Sequence, residues 1–230
     1  MKVVLFCGGQ GTRLRDYSEA VPKPMVHIGH RPILWHVMKY FAHFGHNEFI
    51  LCLGYKSSAV KDYFLHYSEA VSNDFVLSQG GREIELLSSD IGDWKISFID
   101  TGINATIGER LKAVQPLLIG EEMFLANYSD GLTDLWLPDY LDHFKASGRV
   151  GAFLAVSSNQ TFHVVQMESD GTVTSIEPLS ESDFWVNGGF FAFRSDIFDN
   201  LREGEDLLAE PFARLIARRD LIAYRYKGFW

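Results

Sequence analysis

Positive charge is scarce in this chain: 21 Lys and Arg stand against 30 Asp and Glu, a formal net charge of −9. A nucleic-acid surface normally shows a basic stripe, so no nucleic-acid partner is expected. There are only two cysteines, Cys7 and Cys52, both inside apolar runs. They read as reduced core thiols; their number rules out a disulfide framework and their spacing a zinc site. No apolar run reaches the ~18 residues that a membrane span needs. The opening Met1-Lys2 passes straight into an apolar run without a charged leader and cleavage site. These absences together lead us to expect a soluble, cytoplasmic protein with no membrane partner.

What the sequence does have is apolar material, 47% of 230 residues, with 14% aromatic, enough for a large core. Val3-Val4-Leu5-Phe6 is a continuous, partly β-branched run ending at Gly8-Gly9, the pattern of a strand buried on both faces. Ile33–Phe44 carries apolar residues at helical spacing between Pro32 and Gly45. Phe49–Leu53 reads as the next strand and Ser57–Tyr67 as the next helix. Strand–helix alternation of this kind predicts an α/β domain with a mostly parallel sheet. Weaker strands are expected at Phe75–Leu77 and Ile84–Leu87, and stronger ones at Lys95–Ile99 and Met123–Ala126. Helices are expected at Gly108–Leu118 and Leu137–Ala146. Beyond Gly148 the strands Val150–Val156, Val164–Met167, Val173–Ile176 and Asn187–Phe193 look more antiparallel, followed by a helix Leu207–Arg218 and a strand Leu221–Tyr226. With no linker or repeat, residues 1–230 are expected to form one mixed α/β domain.

Three short motifs carry chemistry. Gly8-Gly9-Gln10-Gly11-Thr12-Arg13-Leu14 follows the first strand. Without Cβ atoms the backbone can approach a phosphate and line it with N–H groups. Thr12 adds a hydroxyl and Arg13 a permanent planar cation. Alone, such a loop is as often a plain turn, and it matches neither the P-loop nor the dinucleotide spacing. Pro22-Lys23-Pro24 holds a lysine between two prolines, which predicts a pinned, extended backbone aiming one cation. Tyr128-Ser129-Asp130-Gly131 places a carboxylate at the C-terminal end of a strand, where α/β folds bind ligands. A single Asp there can hold Mg2+, with water and phosphate oxygens completing the shell, or can simply cap the loop.

Together these residues resemble the sugar-nucleotide pyrophosphorylases, within them the glucose-1-phosphate cytidylyltransferases. The likeness runs from Leu5–Leu14 through Pro22-Lys23-Pro24-Met25, Pro32–His36, Gly54-Tyr55-Lys56, Asp100-Thr101-Gly102 and Gly108–Lys112. It continues with Tyr128–Gly131, Asn187–Phe191 and Gly228-Phe229-Trp230. The resemblance implies a Rossmann-like nucleotide-diphospho-sugar transferase fold with a mixed, mostly parallel central sheet. Residues 1–148 would bind nucleotide and 149–230 sugar phosphate. A sugar-1-phosphate would attack the α-phosphorus of a triphosphate, CTP and glucose-1-phosphate being favoured, with release of pyrophosphate and with Mg2+ as cofactor. Arg13, Lys23 and Asp130 would be catalytic, Asp130 also holding the metal. Leu5, Gly8, Gly9, Gly11, Thr12, Arg13, Lys23 and Arg110 would line the nucleotide, and Asn187 and Gly188 the sugar phosphate. The family also implies a homo-oligomer.

The sequence departs from the family's pattern in three places. The family's Glu-Lys-Pro is here Glu177-Pro178-Leu179-Ser180, so Leu179 takes the lysine position. That exchange removes a charge-assisted contact of roughly 1.5–3 kcal/mol, for which His163 and Arg194 are the candidate substitutes. His163 itself stands where the family has glycine after an aromatic. The family continues beyond Gly-Phe-Trp to a second metal-binding Asp, so the 149–230 half is expected to be cut short at Trp230. The departures leave open a weakly catalytic nucleotide-binding homologue or a transferase with another phosphorylated acceptor. The eight histidines show no metal spacing, Trp35, Phe41 and Phe44 read as core, and Glu203, Glu205 and Asp206 as a solvated loop.

Overall fold

A computed structural model of the chain describes residues 1–9, 21–157, 162–179 and 183–230. Its strands in chain order are β1 Val3–Phe6, β2 His27–Ile28, β3 Arg31–Pro32, β4 Glu48–Leu53, β5 Phe75–Ser78, β6 Glu83–Leu86 and β7 Lys95–Asp100. Then come β8 Met123–Tyr128, β9 Gly151–Ser157, β10 His163–Met167, β11 Val173–Pro178, β12 Trp185–Asn187, β13 Phe191–Arg194 and β14 Leu221–Tyr226. The α-helices are α1 Ile33–His43, α2 Ser57–Leu65, α3 Ile107–Ala113, α4 Leu137–Ser147 and α5 Glu210–Ala217.

β1 sits inside an eight-stranded sheet, parallel to β4 on one side and to β8 on the other; β7 extends the parallel part beyond β4. All four residues of β1 are buried. A strand covered on both faces has no use for polar alternation, which is why it reads as an unbroken apolar run. Val3 and Leu5 face a core shared with Phe41 of α1 and with Tyr140 and Phe144 of α4. Val4 and Phe6 face a second core with Leu111 of α3 and Phe212 of α5. On the other flank β13 runs antiparallel to β8, and β9 takes β12 and β13 antiparallel and β14 parallel. The expected mixed, mostly parallel sheet with a more antiparallel later part is what the chain builds.

Three elements depart from the sequence reading by more than a shift of two residues at an end. The expected strand Asn187–Phe193 is two strands, β12 and β13, separated at Gly188–Phe190. Gly189 (φ 77) and Phe190 (φ 48) are left-handed there, and the buried Asn127 side chain accepts the Phe190 N–H at 2.8 Å, fixing the bend. The helix expected to reach Leu118 stops at Ala113 and tightens into a 3-10 turn, because Pro116 has no N–H to give to an α-helix. α5 begins at Glu210 rather than Leu207: Pro211 sits in the first turn and Leu207 is turned into the core. The short hairpin of β2 and β3 carries no alternation to read and was not expected. Among the described residues no helix is long and apolar enough to cross a membrane.

Candidate active site at the carboxyl ends of the parallel strands

The C-terminal ends of β1, β4, β7 and β8 meet at one edge of the sheet, and each turns on residues that the sequence singled out. After β1 the chain continues through Cys7, whose N–H bonds the Cys52 carbonyl at 2.9 Å, into Gly8 and Gly9. After β8, the Ser129 hydroxyl donates to the Phe6 carbonyl at 2.8 Å and ties the two strand ends together. The next residue, Asp130, leaves the sheet at that point. Its carboxylate forms an ion pair with the Lys23 ammonium.

Lys23 reaches Asp130 from a one-turn 3-10 helix, Lys23–Met25, rather than from the extended segment that two flanking prolines suggested. Pro22 is extended (φ −65, ψ 147), and its carbonyl accepts the Met25 N–H at 2.8 Å, which closes the turn. Pro24 and Met25 are buried. The backbone is therefore anchored on its apolar side while the ammonium points out, an arrangement that fixes the base of a flexible cation.

Arg110 occupies a different position. It is 4% exposed and spends its terminal nitrogens on the chain itself. Nη1 donates to the Leu53 carbonyl at 3.0 Å and the Thr101 hydroxyl at 2.6 Å; Nη2 donates to the Gly8 carbonyl at 3.1 Å and the Ile103 carbonyl at 3.4 Å. One side chain thus links the ends of three strands. Burial presses its pKa below the free value, though a guanidinium stays charged in proteins. A Cβ on Gly8 would overlap the Arg110 guanidinium, and a Cβ on Gly54 would stand 2.8 Å from the Gly102 carbonyl. Glycine at both positions is what lets the strand ends close around the arginine. α3 delivers it from an N-terminal capping box, Thr106 with Glu109.

These ends enclose a cleft of about 430 Å³ lined by Phe6, Gly8, Gly9, Asn104, Thr106, Arg110, Tyr128 and Asp206, among others. Glu203, Glu205 and Asp206 were expected on a solvated loop; Glu203 and Asp206 are exposed, Asp206 at the rim of the cleft, and Glu205 departs from that reading. Glu205 pairs with Arg214, and its carbonyl accepts the Thr106 hydroxyl at 2.8 Å, so the loop is drawn onto the start of α3. On the other side of Tyr128, Asn187 donates to the tyrosine hydroxyl at 3.4 Å. The Trp230 indole N–H donates to the Gly188 carbonyl at 2.8 Å. The terminal segment is held there by Thr133, whose hydroxyl donates to the Phe229 carbonyl at 2.8 Å, and by Asp134, whose carboxylate accepts the Phe229 N–H, also at 2.8 Å.

Of the residues singled out from sequence, Lys23 and Asp130 are in contact, and Gly8, Gly9 and Arg110 line the cleft. Asn187 is linked to it through Tyr128, while Gly188 is bonded to Trp230, which is not a lining residue. The Leu5 side chain is fully buried in the core. Gly11, Thr12 and Arg13 lie outside the described residues. Arg194 cannot substitute for a missing sugar-site lysine: it pairs in register with Met123, at the far end of β8 from Tyr128, and holds Glu122 at 3.1 Å. Leu179 closes the β10–β11 ribbon, its N–H bonded to the Phe162 carbonyl at 2.8 Å. Cys7 lies against Ser129, but burial pushes its thiol up to about 12, which leaves no thiolate for covalent chemistry. Among the described residues no group of three His, Cys, Asp or Glu could hold a metal ion by itself. Tyr128, Asn104 and Asp206 were missed as lining residues, since no local pattern announces which loops will face each other.

The fold recurs in solved structures. It superposes on a UDP-glucose pyrophosphorylase complexed with UDP-glucose with a TM-score of 0.68 at 16% identity, covering 99% of this chain and 90% of that one. A UDP-glucose pyrophosphorylase from Acinetobacter baumanii gives 0.67 at 17% identity, covering 99% and 86%. In sequence, the Bacillus subtilis (strain 168) protein named probable glucose-1-phosphate cytidylyltransferase is 37% identical over all of this chain and 90% of its own length. The Salmonella typhi glucose-1-phosphate cytidylyltransferase is 34% identical over the same shares. The nucleotidyl transferase family model matches residues 2–230, and the chain belongs to that family.

Proposed function

We propose that the protein joins a nucleoside triphosphate to a sugar-1-phosphate and releases pyrophosphate, with CTP and glucose-1-phosphate as its substrates, as the names of its relatives in Bacillus subtilis and Salmonella typhi suggest. The observation that carries the reading is the meeting of Lys23 and Asp130 where the ends of β1 and β8 are stitched by Ser129. Transfer at phosphorus needs positioning and charge neutralisation more than a protein nucleophile. The Gly8 and Gly9 segment offers main chain without side-chain obstruction. Lys23 and Arg13 neutralise charge that gathers on the triphosphate and the departing pyrophosphate. Mg2+ fits the chemistry of Asp130, a hard oxygen donor at a phosphate-binding edge, because Mg2+ commonly takes one or two carboxylates and fills its shell with water and phosphate. When bound, it would supply positive charge to offset that of the phosphates.

In this reading residues 1–148 hold the nucleotide, 149–230 the sugar phosphate through Asn187 and Gly188, and the protein works as a cytoplasmic homo-oligomer. The test is pyrophosphate release from each of the four triphosphates against a panel of sugar-1-phosphates, with and without Mg2+. Turnover with CTP and glucose-1-phosphate, lost on chelation, is the expected result. Leu179 at a sugar-side position favours a second reading, a transferase with another phosphorylated acceptor. Turnover only with a non-sugar phosphate would establish that one. Tight triphosphate binding without any turnover would mark a binding homologue instead.

A further inference from the structure

The Lys23–Asp130 contact has a property that the reaction alone does not require. Both groups carry catalytic duties in the proposed reading, and their side chains are paired with each other. Their side chains are 40% and 26% exposed, so the contact is reachable from solvent and can be exchanged. Among the described residues Lys23 is the only cation paired with Asp130. The lysine's base is fixed by buried Pro24 and Met25, so the freedom of the ammonium lies in its four-carbon stem. Arg110, by contrast, is buried and bound at four acceptors within the chain.

We propose that Lys23 guards the metal position: it neutralises Asp130 in the nucleotide-free protein and moves to the phosphates only when a divalent ion arrives with the triphosphate. The proposal rests on the reading of Asp130 as the metal-holding carboxylate. Its physical basis is charge. A divalent ion entering alone must displace an ammonium from the carboxylate and then stand beside it, and like charges at that range repel. A triphosphate entering with the ion changes both terms, because its oxygens give the ammonium a new anionic partner and share the ion with Asp130. Metal and nucleotide thereby bind cooperatively, the coupling residing in one side chain with two alternative partners.

The experiment measures Mn2+ retention by the full-length protein from the electron paramagnetic resonance signal of free Mn2+, with and without a non-hydrolysable CTP analogue. Wild type, Lys23→Met, Lys23→Gln and Asp130→Asn are compared after their melting temperatures have been matched. The expected result is weak retention by nucleotide-free wild type and roughly 5-fold tighter binding by both Lys23 variants, the scale on which partly exposed charges couple. With the analogue present the advantage of the variants should vanish or reverse. Asp130→Asn should lose retention in every condition. If the Lys23 variants bind Mn2+ no better than wild type without nucleotide while Asp130→Asn abolishes binding, the guarding role is wrong and the metal assignment survives. If Asp130→Asn retains Mn2+ like wild type, the metal assignment itself is wrong and the guard goes with it.

Discussion

The two ends of the parallel sheet make an instructive pair, because each has a hollow and each has charges. At the C-terminal end lies the cleft of about 430 Å³ described above. At the other end, loops around Gln115–Glu122 and Ser195–Asp199 border a groove of about 510 Å³ lined by Glu121, Glu122, Asp196 and Asp199. Volume does not separate them. At the far end half-buried cations pair with carboxylates: Lys2 with Glu121 at 3.5 Å and Arg194 with Glu122 at 3.1 Å. At the site end a buried guanidinium is bound to main chain, two glycines yield space to it, and an exposed lysine meets a lone carboxylate. The cleft is distinguished by backbone that has been shaped, at some cost in conformational freedom, around fixed charge.

The largest effect that tests this contrast comes from Arg110→Met. It leaves the Gly8 carbonyl without its donor and takes one charged donor each from the Leu53 and Ile103 carbonyls and the Thr101 hydroxyl, so a loss of about 3 kcal/mol or more is expected. In a chain of this size that is a fall of roughly 6–12 °C in melting temperature, measurable by calorimetry. A loss below about 1 kcal/mol would mean that the guanidinium does not organise the strand ends. Gly8→Ala is the next largest, about 1–3 kcal/mol from overpacking. The double mutant with Arg110→Ala should recover most of that increment, because the overlap is with the guanidinium itself. Strict additivity would break the argument that glycine is needed there for the arginine.

Much of the site was legible because its signals are local. The apolar run of β1, the glycines after it, Pro22-Lys23-Pro24 and the Asp130 turn each occupy a few consecutive residues, and strand–helix alternation forces their strand ends to one edge. What was not legible depends on pairing across the chain. The break at Gly188–Phe190 is set by Asn127, 63 residues away, so the apolar stretch Asn187–Phe193 reads as one strand. Resemblance placed Arg110 beside the nucleotide, but its role in linking the strand ends shows only when Gly8, 102 residues earlier, is seen against it. Glu205 looks solvated because its anchors, Thr106 and Arg214, lie on other elements. Arg194 was a candidate for the sugar side only because sequence gives no sense of which end of β13 it occupies.

At the far end the expected effects are small. Arg194→Gln removes a partly exposed ion pair, a hydrogen bond to the Arg149 carbonyl at 3.2 Å and a cation placed 5.6 Å over the Phe144 ring. Such contacts are worth about 1 kcal/mol or less, so melting temperature should move by only a few degrees. Pyrophosphate release should be unchanged. A loss of turnover beyond about threefold would show that the two ends communicate and that the contrast drawn between them is too sharp.

The smallest effect is one of slope, at the same far end. His46 lies near the Met1 amine, its Nδ1 3.5 Å away, and its pKa is lowered to about 4, first by burial and then by the amine and Lys145. A histidine with a depressed folded-state pKa takes up its proton more readily when unfolded, where the value is about 6.5. The unfolded chain therefore binds more protons below that value, and stability falls as pH drops from about 6.5 towards about 4. His46→Gln cannot take the proton, so its urea midpoint should decline less than wild type's between pH 7 and pH 4.5. The two curves should run parallel above pH 7. Parallel curves across the whole range would mean that His46 is no more buried than a surface histidine. Since Lys23 and Asp130 sit at the other end of the sheet, the His46 variant should keep wild-type metal retention throughout, which makes it the control that separates a change in stability from a change in the site.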